Sequence, residues 1–483
     1  MAPRVAIIGA GFGGLCMAIR LEKAGIRTFS VFEKADDLGG TWRDNTYPGA
    51  GCDIPSHLYS YSFEKYSSWT RRYPEQPEIL GYLHHCADKY DVRRKIRLRT
   101  EVRRAVFADG AWHVTTSSAE GERTETFDVV VMAVGQLNRP SLPDISGMDD
   151  FAGVAFHSAR WNHDHDLTGR RVAVIGTGSS AAQLVPRVAE RAAHLYLFQR
   201  TPNWVIPKPD AVFGPVARLA FRFVPGLQRA YREWIYRYAE STLYPALARG
   251  WSEGLLRQRA LRHLRDQVPD PALRAKLTPG YPPGCKRVII DSSFYPALTR
   301  PNVSLVTDPI ARITPKGVET GAGTYEVDTI VYATGFKSTE FLTPIEVIGR
   351  EGRSLHERWK DGAEAYLGIS VPGFPNLFML YGPNTNLGHN SIVFMIECQV
   401  AHIMACLPYL GRSGPIEVRP EAMAAWRRQL DAAMSTMVWG AGCRSWYKTP
   451  DGRVTNNWPG PTTLYRRLTA RPPEPAYRPV RAG

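Results

Sequence analysis

Two stretches constrain this chain more than any others: Val5-Ala-Ile-Ile-Gly9-Ala-Gly11-Phe-Gly-Gly14 and, far downstream, Val172-Ala-Val-Ile-Gly176-Thr-Gly178-Ser-Ser-Ala-Ala182. In each, a continuous apolar run of the kind that forms a buried strand breaks into glycines that can turn tightly into a helix. Glycines at such a turn let the backbone approach a pyrophosphate, whose charge the helix N-terminus stabilises. One glycine turn is a weak signal. Two, each heading its own strand-helix unit, point to a fold with two dinucleotide sites.

The similarity extends well beyond the turns. A second strand in the first copy, Thr28 to Phe32, ends on Glu33, 24 residues after Gly9; in the second copy Leu195 to Gln199 runs into Arg200, 24 residues after Gly176. An acid at this place accepts from a ribose hydroxyl and repels a 2′-phosphate, whereas an arginine binds that phosphate in a charge-assisted, bidentate way. Later, Asp128-Val-Val-Val-Met-Ala-Val-Gly135 and Asp328-Thr-Ile-Val-Tyr-Ala-Thr-Gly335 share the pattern D-x-apolar-apolar-x-A-x-G. Each is a returning strand, the first preceded by a hairpin read from Trp112 to Val114 and Thr124 to Thr126. The chain therefore reads as an internal duplication of a whole dinucleotide domain. The first copy is expected to take a dinucleotide with a free 2′-hydroxyl and the second to take NADPH, which makes FAD the simplest hydride acceptor.

At 483 residues the chain has room for two or three domains, and its 44% hydrophobic and 22% charged residues are those of a folded protein. The formal charge of +14 raises nucleic acid or anionic lipid as a partner, but no basic block with interleaved aromatics is present, so a mildly basic surface with anionic cofactors and no nucleic-acid role is expected. None of the seven cysteines forms a C-x-x-C pair or a zinc spacing, so the expectation is reduced thiols, no metal and a cytoplasmic location. With strand sequence running from Arg4, no signal peptide is expected. The apolar stretch from Ile392 is interrupted by Glu397, Gln399 and His402 and reads as a buried helix, with no integral membrane segment expected. The polar loop from Asn384 feeds that helix and places Asn390 as a candidate cofactor contact near its positive end. Residues 210–276 carry arginines and aromatics at helical spacing and read as a helical insertion, expected to pack on its parent domain, with its basic amphipathic faces lying on a membrane as the alternative. The proline-rich end after Ala470 is expected to fray. His163 and His165 read as a solvated turn and not as metal ligands.

Between the two copies lies Phe151-x-Gly153-x-x-x-His157-x-x-x-Trp161, and after the first copy's second strand comes Gly39-Gly40-x-Trp42-x-x-x-x-Tyr47-Pro48-Gly49-x-x-x-Asp53. Both resemble signatures of the class B flavoprotein monooxygenases, the first in the tryptophan-bearing form of type I Baeyer-Villiger monooxygenases, and the likeness covers nearly the whole chain. The resemblance implies FAD-side roles for Gly9, Gly11, Gly14, Glu33, Gly40, Trp42 and Asp53. It implies NADPH-side roles for Gly176, Gly178, Ser179, Ser180, Arg200, Thr201 and Lys286. Arg287 would be the active-site cation with Asp53 as its acidic partner, and His157 and Trp161 would couple the two nucleotide sites. One departure from the pattern is Asn162, where the family carries proline or aspartate.

The fold expected is α/β, with two doubly wound Rossmann-type domains and a helical insertion in the second. Residues 1–146 would begin the FAD domain and 147–209 the NADP domain. The insertion would be 210–283, with 284–374 completing the NADP domain and 375–483 completing the FAD domain. The implied reaction is conversion of a ketone to an ester or lactone with NADPH and O2, through a C4a-peroxyflavin. Oxygenation of nitrogen or sulfur is the alternative within enzymes, and a non-catalytic flavin-binding redox sensor the alternative outside them.

Overall fold

The structure, a computed structural model, describes residues 2–440, 442–443, 445–471 and 473–480. Two five-stranded parallel sheets form its frame. In the first, the wholly buried strand Val5–Ile8 lies between Phe29–Phe32 and Val129–Met132, with Ile96–Arg97 and Leu377–Met379 at the edges. In the second, Arg171–Ile175 lies between His194–Phe198 and Thr329–Tyr332, with Val303–Val306 and Val154–His157 at the edges. Strand order is the same, counted outward from each glycine-turn strand. Only the source of one edge strand differs: the first unit takes it from late in the chain, the second from the segment just before its own start.

The shared D-x-apolar-apolar-x-A-x-G pattern now has a physical reason. Asp128 Oδ2 accepts from Arg4 N at 2.7 Å and Asp328 Oδ2 accepts from Arg171 N at 2.7 Å, so each aspartate fixes the backbone entering a central strand. A methyl group on Gly9 would lie 2.6 Å from the Ala133 carbonyl oxygen, and one on Gly176 would lie 2.5 Å from that of Ala333. Both glycines also have positive φ, so each turn depends on a missing side chain twice over.

Each unit carries an antiparallel appendage. The hairpin of the first is longer than its sequence pattern indicates, Ala111–Ser118 against Gly121–Phe127, and Glu101–Ala108 extends it. Glu346–Ile348 also joins this sheet, in parallel with Glu101–Ala108, so the chain has returned to the first unit well before residue 375.

The insertion departs from the expectation that it packs on its parent. Ile235 and Tyr236 of helix Leu227–Tyr238 pack on Leu58 and Phe394 of the first unit, while Ala260 and Leu264 of helix Glu253–Gln267 pack toward the second. It is a clasp across both units. Helix Ile392–Ser413 is, among the described residues, the one long and apolar enough to cross a membrane; 56% of its most apolar window is buried. Its polar interruptions have internal partners: Gln399 Nε2 donates to the Tyr465 hydroxyl at 3.0 Å, and His402 bonds to the Thr469 carbonyl and the Tyr477 hydroxyl.

Two further expectations fail. The tail does not fray throughout: Tyr477–Pro479 pairs antiparallel with Ile416–Val418, because the Tyr477 ring is buried and its hydroxyl meets Ser370 at 2.9 Å. Pro472 and residues 481–483 lie outside the described residues. The thiols are not all reduced either, since Cys285 and Cys443 form a disulfide, Cα to Cα 6.3 Å, beside Trp439 and Tyr447. Their 158-residue separation explains why no spacing rule reveals the pair.

Candidate active site

The first glycine turn opens into a cleft lined by Gly9, Gly11, Glu33, Gly40, Trp42 and Tyr381, among others. Helix Phe12–Lys23 starts at Gly11 with no side-chain cap and no acid in its first turn, so its leading N–H groups face the cleft without an internal acceptor. Gly40, at positive φ, brings its backbone against Gly11; a methyl group on Gly40 would stand 3.2 Å from the Gly11 Cα. Gly14 tolerates no side chain at all, since its methyl group would meet the Gly9 carbonyl at 1.8 Å. Glu33 is buried, accepting from Ala10 N at 2.9 Å and Ala35 N at 3.0 Å, which holds the carboxylate at the strand end. Trp42 Nε1 donates to the Tyr59 hydroxyl at 3.0 Å. This combination fits a dinucleotide: open helix N–H groups for the phosphates, a fixed acid for the ribose and an aromatic wall beyond.

The second turn repeats the opening. Helix Ser179–Ala189 starts at Gly178, again without a side-chain cap or an early acid. Arg200 and Thr201 are exposed at the end of the second strand, and Lys286 Nζ donates to Thr201 Oγ1. Burial, and after it the charge of Arg200, push the Lys286 ammonium below its usual range. Two cations held near one another are a ready receptor for a phosphate dianion.

One residue beyond Lys286, the Arg287 guanidinium spans to Asp53 from the first unit. Nε and Nη2 donate to Asp53 Oδ2 at 3.1 and 2.7 Å, and Nη1 donates to the Leu387 carbonyl at 3.1 Å. Asp53 raises the arginine further above its already high range, against the opposing effect of burial. Tyr447 and Tyr381 flank the cation; burial raises Tyr447 to about 12 and pushes Tyr381 up as well, and in both the Arg287 charge opposes the rise. Tyr381 also lines the first-turn cleft, whereas Arg287 and Asp53 are not among its lining residues. Sequence reasoning missed this shell. The Tyr381 hydroxyl donates to Asn386 Oδ1 at 2.7 Å and Asn386 Nδ2 to Asn457 Oδ1 at 2.6 Å, contacts between loops that carry no recognisable motif.

The segment 151–161 is not a free linker. It supplies the edge strand Val154–His157, paired with Thr329–Tyr332, and Gly153 is required because a methyl group there would lie 2.6 Å from the Asp328 carbonyl. His157 is buried: Nδ1 accepts from Ala159 N at 3.1 Å, and the ring also hydrogen-bonds to the Gly335 backbone. Burial holds its imidazole below the usual histidine range. Trp161 packs edge-on to Phe156 at 5.1 Å, against the second core. Neither His157 nor Trp161 lines the first-turn cleft. The segment nevertheless touches the first unit, since Arg160 Nη1 is 3.8 Å from Asp44 Oδ2, and just beyond it His163 Nε2 meets Thr46 Oγ1 at 2.7 Å.

The Tyr47-Pro48-Gly49 motif makes the reciprocal contact. The Tyr47 hydroxyl donates to Gln183 Oε1 at 2.8 Å, and a methyl group on Gly49 would lie 2.5 Å from the Gln183 carbonyl. Burial raises the Tyr47 phenol to about 12, and a hydrogen bond with Ser180 opposes that rise. Asn162 Oδ1 accepts from Asp164 N at 3.1 Å, a turn that an aspartate side chain would cap in the same way. Asn390 stands apart from the cleft lining, its amide donating to Glu240 Oε1 at 2.7 Å and its oxygen accepting from Ser391 N at 2.8 Å.

Comparison with known proteins agrees with this arrangement. Residues 2–223 match the family model described as flavin-binding monooxygenase-like. The chain is 42% identical over 98% of its length to a Baeyer-Villiger monooxygenase of Pseudomonas aeruginosa, covering 91% of that protein. It is likewise 42% identical over 97% of its length to a Baeyer-Villiger monooxygenase of Streptomyces coelicolor, again covering 91%. Among solved structures it resembles an oxidized steroid monooxygenase bound to NADP, with a TM-score of 0.87, 32% identity and 99% of both chains covered. A closed cyclohexanone monooxygenase matches with a TM-score of 0.87 and 30% identity, over 99% of this chain and 98% of that one. The chain therefore belongs to the flavin-binding monooxygenase-like family, within its Baeyer-Villiger monooxygenase branch.

Proposed function

We propose that this protein converts a ketone to an ester or lactone, inserting one atom of O2 beside the carbonyl and releasing the other as water at the expense of NADPH. The observation that carries the reading is the Asp53–Arg287 pair, a permanently charged guanidinium joined across two units and acting by its charge on Tyr381, which lines the dinucleotide cleft. FAD bound at the first turn and reduced by NADPH bound at the second supplies the activated oxygen. The residues of the chain bind and orient.

Gly9, Gly11, Gly14, Glu33, Gly40 and Trp42 hold the FAD side; Gly176, Gly178, Ser179, Ser180, Arg200, Thr201 and Lys286 hold NADPH. Arg287 faces the reacting oxygen. Three of its five N–H groups are committed to Asp53 and the Leu387 carbonyl, which fixes its direction and leaves the others for Tyr447 and for an oxyanion in the cleft. Because its pKa is raised, it stabilises negative charge without surrendering a proton. His157 and Trp161 act from the edge strand, keeping the second unit in register with the first, and Asn390 acts indirectly by fixing the loop before helix Ile392–Ser413. The division into 1–146, 147–209, 210–283, 284–374 and 375–483 belongs to the same proposal, with the return to the first unit moved ahead to about Glu346. So does a cytoplasmic site of action.

The test compares wild type with Arg287→Ala on a panel of ketones and sulfides, following flavin reduction, peroxide release and product masses in one sample. Removing one preorganised stabiliser costs about 2.7 to 4 kcal/mol, so ester formation should fall roughly a hundred- to a thousandfold while flavin stays bound. Ester formation at the wild-type rate would remove Arg287 from the reaction. Sulfoxide as the wild type's only product would favour heteroatom oxygenation, and no turnover of either class would leave a flavin-binding sensor.

A further inference from the structure

Among the described residues, nine of the eleven large apolar side chains exposed on the surface fall between Val212 and Leu255, inside the insertion. Their arrangement is ordered. On helix Pro215–Phe223, Val216, Leu219 and Phe223 recur on one side, with Val216 81% and Phe223 67% exposed. The opposite side is already occupied: Phe221 packs on His57 at 4.4 Å and on Tyr231 at 5.4 Å, ring to ring. A helix anchored by one apolar face normally turns a polar face to water. This one turns a second apolar stripe outward, flanked by the exposed arginines Arg218 and Arg222.

The next helix, Leu227–Tyr238, continues the pattern. Trp234 and Tyr238, one turn apart and stacked at 6.1 Å, are exposed, as is Arg229. Arg72 ties the chain ahead of the first helix to the second: its backbone N donates to the Ala211 carbonyl at 2.8 Å and its guanidinium lies 5.6 Å over the Trp234 ring. From residue 211 to 232 the chain has Arg218, Arg222, Arg229 and Arg232 and no acid.

We propose that residues 212–238 form a docking face for an anionic lipid surface. Val216, Leu219, Phe223 and Trp234 enter the boundary between headgroups and acyl chains, while Arg218, Arg222 and Arg229 meet the headgroup phosphates. Charge decides between this occupant and a second copy of the chain. A two-fold interface would set these arginines against their own copies, and the one carboxylate in the stretch, Glu233, is already paired with Arg237 at 2.8 Å. The formal charge of +14 favours the same partner at longer range. Nothing in this proposal depends on the reaction catalysed.

The test is flotation of the FAD-loaded protein with vesicles of phosphatidylcholine alone and of phosphatidylcholine mixed with phosphatidylglycerol. Wild type should float with the mixed vesicles, sink with the neutral ones and detach as salt screens the arginines. Leu219→Asp and Phe223→Asp should each weaken binding roughly tenfold or more, from the apolar burial lost. Arg218→Gln, Arg222→Gln and Arg229→Gln should each weaken it about fivefold. Flavin content and NADPH oxidation with a water-soluble ketone should stay at wild-type level in all five; the glutamine variants serve if an aspartate variant fails to fold. Wild type that ignores anionic vesicles, or a triple glutamine variant that binds them undiminished, would overturn the proposal. So would a concentration-dependent dimer that the aspartate variants dissolve, which would show a second copy on this face.

Discussion

The two dinucleotide units share strand order, an aspartate at the entry of the central strand and a glycine that admits a carbonyl, yet they differ at one equivalent place. Glu33 is buried and bonded to two backbone N–H groups of its own unit, whereas Arg200 is exposed and acts on Lys286 through its charge alone. The acid is part of the first unit's framework before any ligand arrives. The arginine belongs to a cationic pair whose partner is an incoming phosphate. A common scaffold thus fixes where the deciding residue sits, and burial decides whether it shapes the site or awaits the ligand.

The strongest way to break the comparison is at the glycines themselves. Gly9→Ala and Gly176→Ala place the same methyl group against equivalent carbonyls, at 2.6 and 2.5 Å. The first should yield protein without flavin; the second should stay yellow, with flavin reduction by NADPH slowed about a hundredfold by cofactor misplacement. Absorbance spectra and stopped-flow reduction read the two outcomes. Loss of flavin in both variants would mean that the units do not act separately.

Acid should separate the units next. His57, on the first unit beneath the insertion, is pushed down to about 4 by burial and then by the Arg232 charge. Its folded-state value lies below the unfolded one, so the stability it supports is complete above about pH 6.5 and is lost as pH falls toward about 4. That loss is roughly 3 kcal/mol. Urea melts at neutral and acid pH should show it in wild type and show it reduced by that amount in His57→Phe; an unchanged acid loss would exonerate this histidine.

A smaller effect sharpens the contrast between Glu33 and Arg200. Arg200→Ala removes a charge-assisted contact worth roughly 1.5 to 3 kcal/mol, so KM for NADPH should rise about 10- to 100-fold while KM for NADH hardly moves. Equal rises for both would assign Arg200 a structural role instead.

What was legible in the sequence was whatever repeats at fixed spacing under local constraint. Gly9 and Gly176, Asp128 and Asp328, Glu33 and Arg200 each answer a backbone or charge requirement that recurs in any chain making this turn. Contacts between distant loops leave no such trace. The Asp53–Arg287 pair came only through the family resemblance, and the surrounding Tyr381–Asn386–Asn457 chain did not come at all, because each bond joins residues whose neighbours carry no pattern. The Cys285–Cys443 bridge stayed hidden for the same reason. Segment 151–161 gives no sign of its edge strand because four residues, Val154–His157, are too few to show a period. The insertion's attachment to both units depended on which of its apolar residues meets Leu58, a matter of tertiary packing.

The claim on which the account rests is that the cleft between these units puts oxygen into a ketone. The most direct measurement is turnover of a ketone by wild-type protein with NADPH under isotopically labelled O2, followed by mass analysis. The account predicts an ester or lactone carrying one labelled oxygen atom, the other appearing in water, with one NADPH consumed for each product molecule. NADPH oxidation that leaves every ketone intact and returns all the label as hydrogen peroxide would contradict it.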